Sequence, residues 1–409
     1  MATATNVFAA GSAPLEIESV EVSLLQASTD EPIGMAFTEL NRRAIVLVSV
    51  TAADGTTGYG ESWVNHPSWA GFERLVTFHH GVLPLLVGQD ASQISAIHER
   101  LLSRLVPLGI QWGALGPIMQ ALSGVNLALW DLLGKVQEMS VSELLGGRFR
   151  DQVSLYASSI GPLDVPTSAA KYRDQGFSAV KLRMGFGAET DLRNLRDARK
   201  ALGDSAALFV DANQSWRLSE ALAIAPTLRE HGVGWVEEPL RGNDLGELRK
   251  LADAAGLRIA TGENLYGHEG FSPYIAEPGI AVLQPDLAKT GGFTECQPIS
   301  QMAQDADKEV IPHLYGGALA YAATLQYAAC SPMVSMIEFD VRSNPLRDPL
   351  LATPITVEGG VATVPTGPGL GVELDLDAVE ACRHPADSLI KRAIAMDFRD
   401  HEVRTSHTT

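Results

Sequence analysis

Cysteine is scarce in this chain, which has three among its 409 residues, Cys296, Cys330 and Cys382. Their odd number and wide spacing exclude a disulfide framework and the paired spacing of a zinc site. No apolar run reaches the ~18 residues that cross a bilayer. The opening MATATNVFAAGSAP has neither the basic start nor the continuous apolar core of a signal peptide. These absences predict a soluble cytoplasmic protein that has no membrane partner.

Basic residues are also in short supply. The chain has 31 Lys and Arg against 49 Asp and Glu, and its formal net charge is -18 at pH 7. Nucleic acids and anionic membrane surfaces repel such a charge, so neither is an expected partner. Hydrophobic residues make up 45% and charged residues 20%, the ordinary balance of a soluble globular protein. The length allows two domains, or one barrel with an added domain.

Residues 1–150 have the pattern of an α+β domain. The run AIVLVSV at 44–50 is rich in β-branched residues and is followed by a turn at Asp54-Gly55. Further along, apolar side chains at helical spacing form one stripe, at Ile118, Leu122, Val125, Leu129 and Leu133. We predict a capping domain here.

The pattern changes over residues 151–355, where short apolar runs alternate with helical stretches. The runs are VSLYAS, AVKLRM, ALFVDAN, GWVEEP, RIATGEN, AVLQPD, EVIPHL and SMIEFD. Eight strands alternating with helices predict an α/β fold with a (β/α)₈-type barrel. An open doubly wound sheet is disfavoured because no Gly-rich phosphate turn follows the first strands. Residues 356–409 have hairpin and turn chemistry, and we predict that this tail returns to the capping domain.

Ionisable residues stand in or near the end of seven successive runs. They are Lys181, Asp211, Glu237, Glu263, Asp286, His313 and Glu338. Each interval between neighbours fits one strand, one helix and two loops. All seven are therefore expected at the carboxyl-terminal mouth of one barrel, where barrel enzymes carry their chemistry.

Three of these residues, Asp211, Glu237 and Glu263, are carboxylates on adjacent predicted strands. Like charges repel one another unless a cation lies between them. Oxygen ligands favour Mg²⁺, with Mn²⁺ as a substitute, over zinc. The spacing therefore predicts one Mg²⁺, with Lys181 and Arg183 offsetting the remaining charge.

The ordered series AVKLR, VDAN, VEEP, TGEN, QPDLAKTGG, IPH and IEFD, together with GYGE, ALWDLLGK and PGLG, resembles the enolase superfamily, specifically its mandelate racemase-like members. The resemblance implies a modified (β/α)₇β barrel with an α+β capping domain formed by the N-terminal segment and the C-terminal tail. It also implies one Mg²⁺ per subunit, a small carboxylate substrate and a homo-oligomer between dimer and octamer.

The resemblance further assigns roles to single residues. Asp211, Glu237 and Glu263 match the metal ligands, with Glu238 as the alternative to Glu237. His313 and Asp286 match a dyad in which the carboxylate orients the imidazole and raises its basicity. Glu338 matches a residue that binds the substrate carboxylate. Asn213 is expected near the same group, and Trp63 and His66 are expected in a loop over the substrate.

One position departs from the family pattern. Where the family has Lys-x-Lys, this chain has Lys181-Leu182-Arg183. A guanidinium stays protonated above pH ~12, so Arg183 is a poor base. A racemase needs a base on each face of its substrate, and His313 is the one good candidate here. The alternative hypothesis is that Arg183 only clamps the substrate while Lys181 acts as the base.

A single base favours elimination. His313 would take the proton alpha to a carboxylate and then protonate the departing beta hydroxide. The predicted activity is therefore Mg²⁺-dependent dehydration. The resemblance implies an acid sugar as the substrate, which would give a 2-keto-3-deoxy acid. Cycloisomerisation of a sugar-acid lactone is the second hypothesis, and racemisation or epimerisation of a 2-hydroxy acid is the third. A binding protein that merely kept the barrel would show no metal-dependent turnover.

Overall fold

A computed structural model describes residues 14–204 and 206–397; the leader at 1–13 lies outside the described residues. The chain begins with a three-stranded antiparallel sheet in the order β1-β2-β3. Its strands are β1 (Ile17–Gly34), β2 (Glu39–Ala52) and β3 (Thr57–Trp63). Four α-helices follow, α1 (Ala70–Val76), α2 (Ile94–Trp112), α3 (Leu115–Gln137) and α4 (Val141–Leu144). A π-helical turn (Thr77–Val82) and a 3₁₀ turn (Leu83–Leu85) separate α1 from α2.

Two glycines of β3 allow helix α3 to pack directly on the strand. A Cβ built on Gly58 would lie 2.2 Å from the carbonyl oxygen of Ala128, and one on Gly60 would lie 2.1 Å from that of Gly124. No larger side chain fits at either position unless the backbone moves. The GYG part of the GYGE motif is therefore a packing surface for α3.

The second part of the chain is a barrel of eight parallel strands. They are β4 (Gln152–Ile160), β5 (Ala179–Arg183), β6 (Ala207–Asp211), β7 (Val233–Glu237), β8 (Ile259–Thr261), β9 (Ile280–Leu283), β10 (Glu309–Val310) and β11 (Met336–Asp340). Neighbours pair in chain order from β4 to β10, and β11 pairs with β4. A bridge between Val310 and Val334 joins β10 to the segment before β11 and closes the ring.

Seven helices connect the eight strands, which gives the (β/α)₇β barrel that the sequence predicts. They are α5 (Val165–Asp174), α6 (Ala188–Leu202), α7 (Leu218–Glu230), α8 (Leu245–Ala255), α9 (Gly267–Ala276), α10 (Phe293–Asp305) and α11 (Ala318–Cys330). Short 3₁₀ turns lie at Arg241–Asn243 and Asp348–Leu350. Among the described residues, no helix is both long and apolar enough to span a bilayer.

The barrel interior is filled by one side chain from most strands. This cluster consists of Tyr156, Ala179, Phe209, Trp235, Ala260, Val282 and Ile311. The rings of Phe209 and Trp235 stack with their centroids 4.2 Å apart. Because side chains alternate along a strand, the residue two positions later points inward at the next level. On β5, β6 and β7 those residues are Lys181, Asp211 and Glu237, so the pleat itself brings them to the mouth.

The tail joins the barrel before it reaches the capping domain. Strands β12 (Val357–Glu358) and β13 (Val361–Thr363) form a hairpin, and β13 pairs antiparallel with β4. Helices α12 (Leu376–Ala381) and α13 (Asp387–Asp397) follow. The amide of Gln26 on β1 then donates to the carbonyl of Cys382 at 2.7 Å. The sequence indicated a hairpin but not its pairing with β4, and the domain boundaries at 150 and 355 stay a prediction.

Candidate active site

A cavity of about 480 Å³ opens at the carboxyl-terminal mouth of the barrel. Nine of the eleven predicted site residues line it: Trp63, His66, Lys181, Arg183, Asp211, Asn213, Glu263, His313 and Glu338. The other two, Glu237 and Asp286, lie directly behind Lys181 and His313 and bind them. The structure therefore brings the whole predicted set into one network.

Asp211 and Glu237 end neighbouring strands and are partners in the parallel register of β6 and β7. Glu263 follows the last residue of β8 by two positions. Burial raises the pKa of Asp211 above its ordinary value. Burial likewise raises the pKa of Glu237, well above its usual range. These charges are thus unfavourable where they lie, and a nearby cation would stabilise them.

Lys181 supplies one such cation. Its Nζ lies 2.7 Å from Glu237 Oε2, 2.9 Å from Glu338 Oε1 and 3.8 Å from Asp211 Oδ2. Burial alone would lower the pKa of the Lys181 ammonium, but Glu237 and Glu338 outweigh it and raise that pKa well above its ordinary value. Lys181 is therefore held as a charged donor at the centre of the carboxylates.

His313 lies between two carboxylates. Its Nδ1 is 2.6 Å from Asp286 Oδ2, and its Nε2 is 2.6 Å from Glu263 Oε2. Burial acts to lower the pKa of His313, but the charges of Glu263 and Glu338 and the hydrogen bond to Asp286 raise it well above its ordinary value. Asp286 is itself oriented by the amide of Ala288, which donates to its Oδ1 at 2.8 Å. The spatial pairing of His313 with Asp286 matches the predicted dyad.

Arg183 has its hydrogen bonds committed to the protein. Its Nη1 donates to the carbonyl of Gly34 at 2.7 Å, and its Nη2 donates to Ser159 Oγ at 3.0 Å. Gly34 is the last residue of β1. The residues that follow it, Met35 and Phe37, line the cavity. Arg183 thus ties the tip of the β1–β2 hairpin to the barrel mouth.

Glu338 and Asn213 each hold a neighbour in place. Glu338 accepts hydrogen bonds from Ser158 Oγ and from the amide of Leu314, the latter at 3.0 Å. Lys181 and His313 lower the pKa of Glu338, although burial acts to raise that pKa.

Asn213 donates its backbone N–H and its Nδ2 to the two carboxylate oxygens of Asp211, each at 2.8 Å. The contacts of Asn213 are therefore with a predicted metal ligand.

The two glutamates of the VEEP motif have different surroundings. Glu237 is fully buried, and it accepts a hydrogen bond from Gln284 Nε2 at 2.6 Å in addition to those from Lys181. Glu238 lines the cavity and accepts hydrogen bonds from Gln214 Nε2 at 2.8 Å and Asn264 Nδ2 at 3.0 Å. Glu237 shares its level of the barrel with Asp211, whereas Glu238 lies at the rim.

Trp63 and His66 form an aromatic wall with Phe37, although Trp63 is the last residue of strand β3 and does not lie in a loop as predicted. The Trp63 and His66 rings meet edge to face at 5.1 Å, and Phe37 meets His66 at 5.6 Å. The Lys289 ammonium lies 4.6 Å from the centroid of the Trp63 ring. Burial and the charge of Lys289 lower the pKa of His66 to about 4, so this imidazole is neutral at neutral pH.

Sequence reasoning gave no role in the site to several residues that line the cavity, among them Ser158, Gln214, Asn264 and Tyr315. Met35 and Phe37 also line it, and they belong to the segment 26–37 that the family resemblance places over the barrel mouth. Nothing in the spacing of the sequence marks Ser158, Gln214, Asn264 or Tyr315.

The donors at the mouth suit a hard divalent cation in their chemistry. The carboxylates of Asp211 and Glu237 are buried, that of Glu263 is half-buried, and all three come from or just after adjacent strands. Oxygen ligands are those that Mg²⁺ prefers. In the part of the chain that the structure describes, no three His, Cys, Asp or Glu side chains are grouped to enclose a metal. Instead, Lys181 binds Glu237, and His313 binds Glu263.

Comparisons with known proteins agree with this architecture. Residues 19–146 match the mandelate racemase / muconate lactonizing enzyme N-terminal domain, and residues 164–378 match the enolase C-terminal domain-like family. A D-galactarolactone cycloisomerase from Agrobacterium fabrum is 34% identical over 91% of this chain and 100% of its own length. An arabinonate dehydratase from Saccharolobus solfataricus is 31% identical over 80% of this chain and 87% of its own.

A solved structure of a racemase from Streptomyces coelicolor A3(2) with bound magnesium superposes with a TM-score of 0.81. It is 26% identical, and the match covers 90% of this chain and 100% of that one. Both domain models and the full-length relatives lead to the same assignment. The chain belongs to the mandelate racemase / muconate lactonizing enzyme family of the enolase superfamily.

Proposed function

We propose that this protein is a Mg²⁺-dependent acid-sugar dehydratase in which His313 is the general base. The observation that carries the proposal is the pairing of His313 with Asp286 at 2.6 Å, beside a buried group of carboxylates at the barrel mouth. Such a pair orients an imidazole for proton transfer. The arabinonate dehydratase among the relatives supports an acid sugar as the substrate.

Asp211, Glu237 and Glu263 would hold the metal, one ion per subunit, with Mn²⁺ as a substitute. The relative with bound magnesium supports this choice. When bound, the cation would stabilise the negative charge that develops on the substrate carboxylate as the alpha proton leaves. Lys181 and Glu338 would position that carboxylate, the first by its charge and the second by a hydrogen bond. Trp63, His66 and Asn213 would complete the substrate pocket.

His313 then performs both proton transfers. Its Nε2 accepts the alpha proton once it is neutral and released from its contact with Glu263 Oε2. The electron pair of the broken C–H bond then becomes part of the enediolate. The protonated imidazole returns that proton to the beta hydroxyl as the C–O bond breaks, so water leaves and an enol remains. The enol becomes a 2-keto-3-deoxy acid when carbon 3 takes up a proton. One base therefore suffices for syn elimination.

Arg183 does not act as a second base in this scheme. Its guanidinium holds a proton under all ordinary conditions, and it already donates to Gly34 and Ser159. We assign it to holding the β1–β2 hairpin tip over the substrate. This assignment is an alternative to the hypothesis from the sequence that Arg183 clamps the substrate directly while Lys181 acts as the base.

A second candidate function is cycloisomerisation of a sugar-acid lactone. The observation in its favour is the D-galactarolactone cycloisomerase, which matches this chain over its own whole length. The two reactions share the enediolate and differ in what leaves, hydroxide in one and a ring oxygen in the other. A dehydration product is lighter than its substrate by one water, whereas an isomerisation product has the same mass.

The test is a screen of acid sugars and their lactones with Mg²⁺, followed by mass spectrometry of the product. We expect a 2-keto acid lacking one water, complete loss of turnover in excess EDTA, and recovery when Mg²⁺ is returned. His313→Asn should abolish both turnover and exchange of the alpha proton with D₂O while the protein stays folded. Full turnover in excess chelator, or by His313→Asn, contradicts the proposal.

Assembly and location complete the proposed function. We expect a symmetric homo-oligomer, between dimer and octamer, in the cytoplasm, as the family membership suggests. Light scattering of the purified protein measures the first, and fractionation of the producing cells measures the second.

A further inference from the structure

Helix α11, which follows the His313 loop, is buried along its whole length. All 13 of its residues, Ala318–Cys330, are shielded from solvent. Strand β3 and helix α4 of the first domain contact it on one side, and β4 and β11 of the barrel contact it on another. The first N–H groups of a helix have no partner within the helix. Because the start of α11 is buried, water cannot accept hydrogen bonds from these N–H groups. Other groups of the protein must accept them.

Glu61 supplies that partner from the first domain. This residue of β3 is fully buried, and its Oε1 accepts from the amide of Gly317 at 2.6 Å while its Oε2 accepts from the amide of Ala320 at 3.1 Å. Gly316 makes the approach feasible, because a Cβ there would lie 2.6 Å from Glu61 Oε1. A negative charge at a helix N-terminus is also favoured by the helix dipole.

The same segment of β3 contacts the loops of both dyad residues. The amide of Trp63 donates to the carbonyl of Ala288, two residues after Asp286, at 3.4 Å. Asn65 Nδ2 donates to the carbonyl of Tyr315, two residues after His313, at 2.7 Å. The five residues from Glu61 to Asn65 therefore contact the loops on both sides of the dyad.

We propose that Glu61 is a positioning residue, which holds the loop from His313 to the start of α11 and thereby sets the geometry of the His313–Asp286 pair. This inference rests on the proposed function of His313 as the base. It assigns to the first domain a share in placing the base, in addition to its share in covering the substrate.

The charge environment of Glu61 supports this role over that of an ordinary ion pair. Within residues 14–204 and 206–397, no Lys, Arg or His forms an ion pair with its carboxylate. Burial raises the pKa of Glu61 to about 7, the charge of Asp286 acts in the same direction, and the amides of Gly317, Ala320 and Leu319 act to lower it. A buried carboxylate without a counter-ion costs stability. Its partners are the backbone amides of α11, so what it holds is the position of that backbone.

The test compares Glu61→Gln with Gln326→Met in the full-length protein. Gln326 lies on the same helix and accepts from the amide of Ser142 in the first domain at 3.2 Å, but it is about two turns from the start of the helix and the His313 loop. Both variants remove a buried contact between α11 and the first domain. We expect Glu61→Gln to lower kcat on the order of tenfold to a hundredfold with little change in KM, because a small misplacement of a catalytic group has an effect of this size.

Hydrogen–deuterium exchange gives a readout that is independent of turnover. In Glu61→Gln, exchange should become faster in peptides covering residues 313–320, and Gln326→Met should leave those residues at the wild-type rate. If the wild type turns over no acid sugar, the proposed reaction fails, and exchange at 313–320 still decides whether Glu61 holds the loop.

Two results overturn the inference. One is a kcat of Glu61→Gln within about twofold of wild type. The other is an equal loss of kcat in Gln326→Met, which would indicate that any lost contact between α11 and the first domain has the same effect. If Glu61→Gln does not fold, Glu61→Asp replaces it, since the shorter side chain keeps the negative charge and withdraws the carboxylate from the amides of Gly317 and Ala320. Wild-type kcat in Glu61→Asp then contradicts the proposal.

Discussion

Several charged side chains at the barrel mouth are held by side chains of opposite charge. Lys181 bridges Glu237 and Glu338, and His313 bridges Asp286 and Glu263. In a buried network of this kind, removal of one partner leaves a charge without compensation, and such changes are strongly destabilising. Substitutions in the site should therefore preserve shape and change only charge or proton affinity, as His313→Asn does.

The role of Arg183 can be separated from that of a base by two substitutions. Arg183→Met removes both hydrogen bonds. Arg183→Lys restores the family's Lys-x-Lys pattern, but the lysine side chain cannot bind Gly34 and Ser159 at once because it lacks the guanidinium fork. We expect both variants to lose kcat/KM on the order of tenfold, chiefly through KM, with faster amide exchange at residues 34–38.

Proton exchange measured separately for each stereoisomer of the substrate could contradict the proposed role of Arg183. A residue that serves as a second base affects one stereoisomer alone, so that proton exchange with D₂O persists from the other face. One-sided exchange in Arg183→Met would therefore show two-base chemistry and refute the role as a hairpin tie. Ser159→Ala is the matched control, because it removes a single one of the two bonds.

Most of the site could be predicted at the scale of single residues because the barrel is periodic. Lys181, Asp211 and Glu237 lie on their strands two positions after the residues that fill the interior, so the pleat determines where they point. Glu263, Asp286 and His313 come two to three residues after their short strands and were still predictable from interval alone. The hydrogen bond from Arg183 to Gly34 was not predictable, since nothing local in the sequence pairs two residues that lie 149 positions apart.

At the scale of elements, the contact between β3 and α3 carries a prediction about stability. Gly60→Ala places a Cβ 2.1 Å from the carbonyl oxygen of Gly124, and the helix cannot move away without losing its packing. We expect a loss of roughly 1–3 kcal/mol or more in the free energy of unfolding, the effect of overpacking a tight core. Urea denaturation measures it.

The control for this packing prediction is Gly270→Ala in α9. A Cβ at Gly270 meets nothing within 4 Å. Alanine is the better helix former by about 1 kcal/mol, so this variant should be as stable as wild type or slightly more stable. Equal stability of Gly60→Ala and wild type would contradict the close approach of α3 to β3.

Elements differed in how much of them the sequence predicted. The eight apolar runs each became a barrel strand, because length and β-branched composition identify a buried strand. The pairing of β13 with β4 was missed, because two- and three-residue strands carry too little pattern to show their partner. Family membership, fold and barrel type were correct from the order of motifs, which is a property of many elements together.

At the scale of the whole molecule, a cluster of His98, Glu295 and His268 ties the first domain to the barrel. Glu295 on α10 contacts His98 Nε2 of α2 at 2.8 Å and His268 Nδ1 of α9 at 2.6 Å. Burial acts to raise the pKa of Glu295, but the hydrogen bonds of His98 and His268 outweigh it and lower that pKa to about 2.

The lowered pKa of Glu295 predicts a pH dependence of folding. A carboxyl whose pKa is lower in the folded than in the unfolded state stabilises the fold above its unfolded pKa of 4.5. That contribution decreases as pH falls from 4.5 towards 2. Glu295→Gln should therefore be less stable than wild type at pH 6, and the two should converge as the pH approaches 2. A constant difference in unfolding free energy across this range would refute the assignment.

The route of the chain imposes an order on its synthesis. The edge strand of the first sheet, β1, is bridged at Leu25 by Arg383, and the amide of Leu24 donates to the side chain of Asp387, 363 residues later. A ribosome adds residues at about 5–20 per second, so that edge waits on the order of 20 to 70 s for its partner. The first sheet to be translated is thus the last to be completed. The barrel is synthesised before β1 can form its contacts with Arg383 and Asp387.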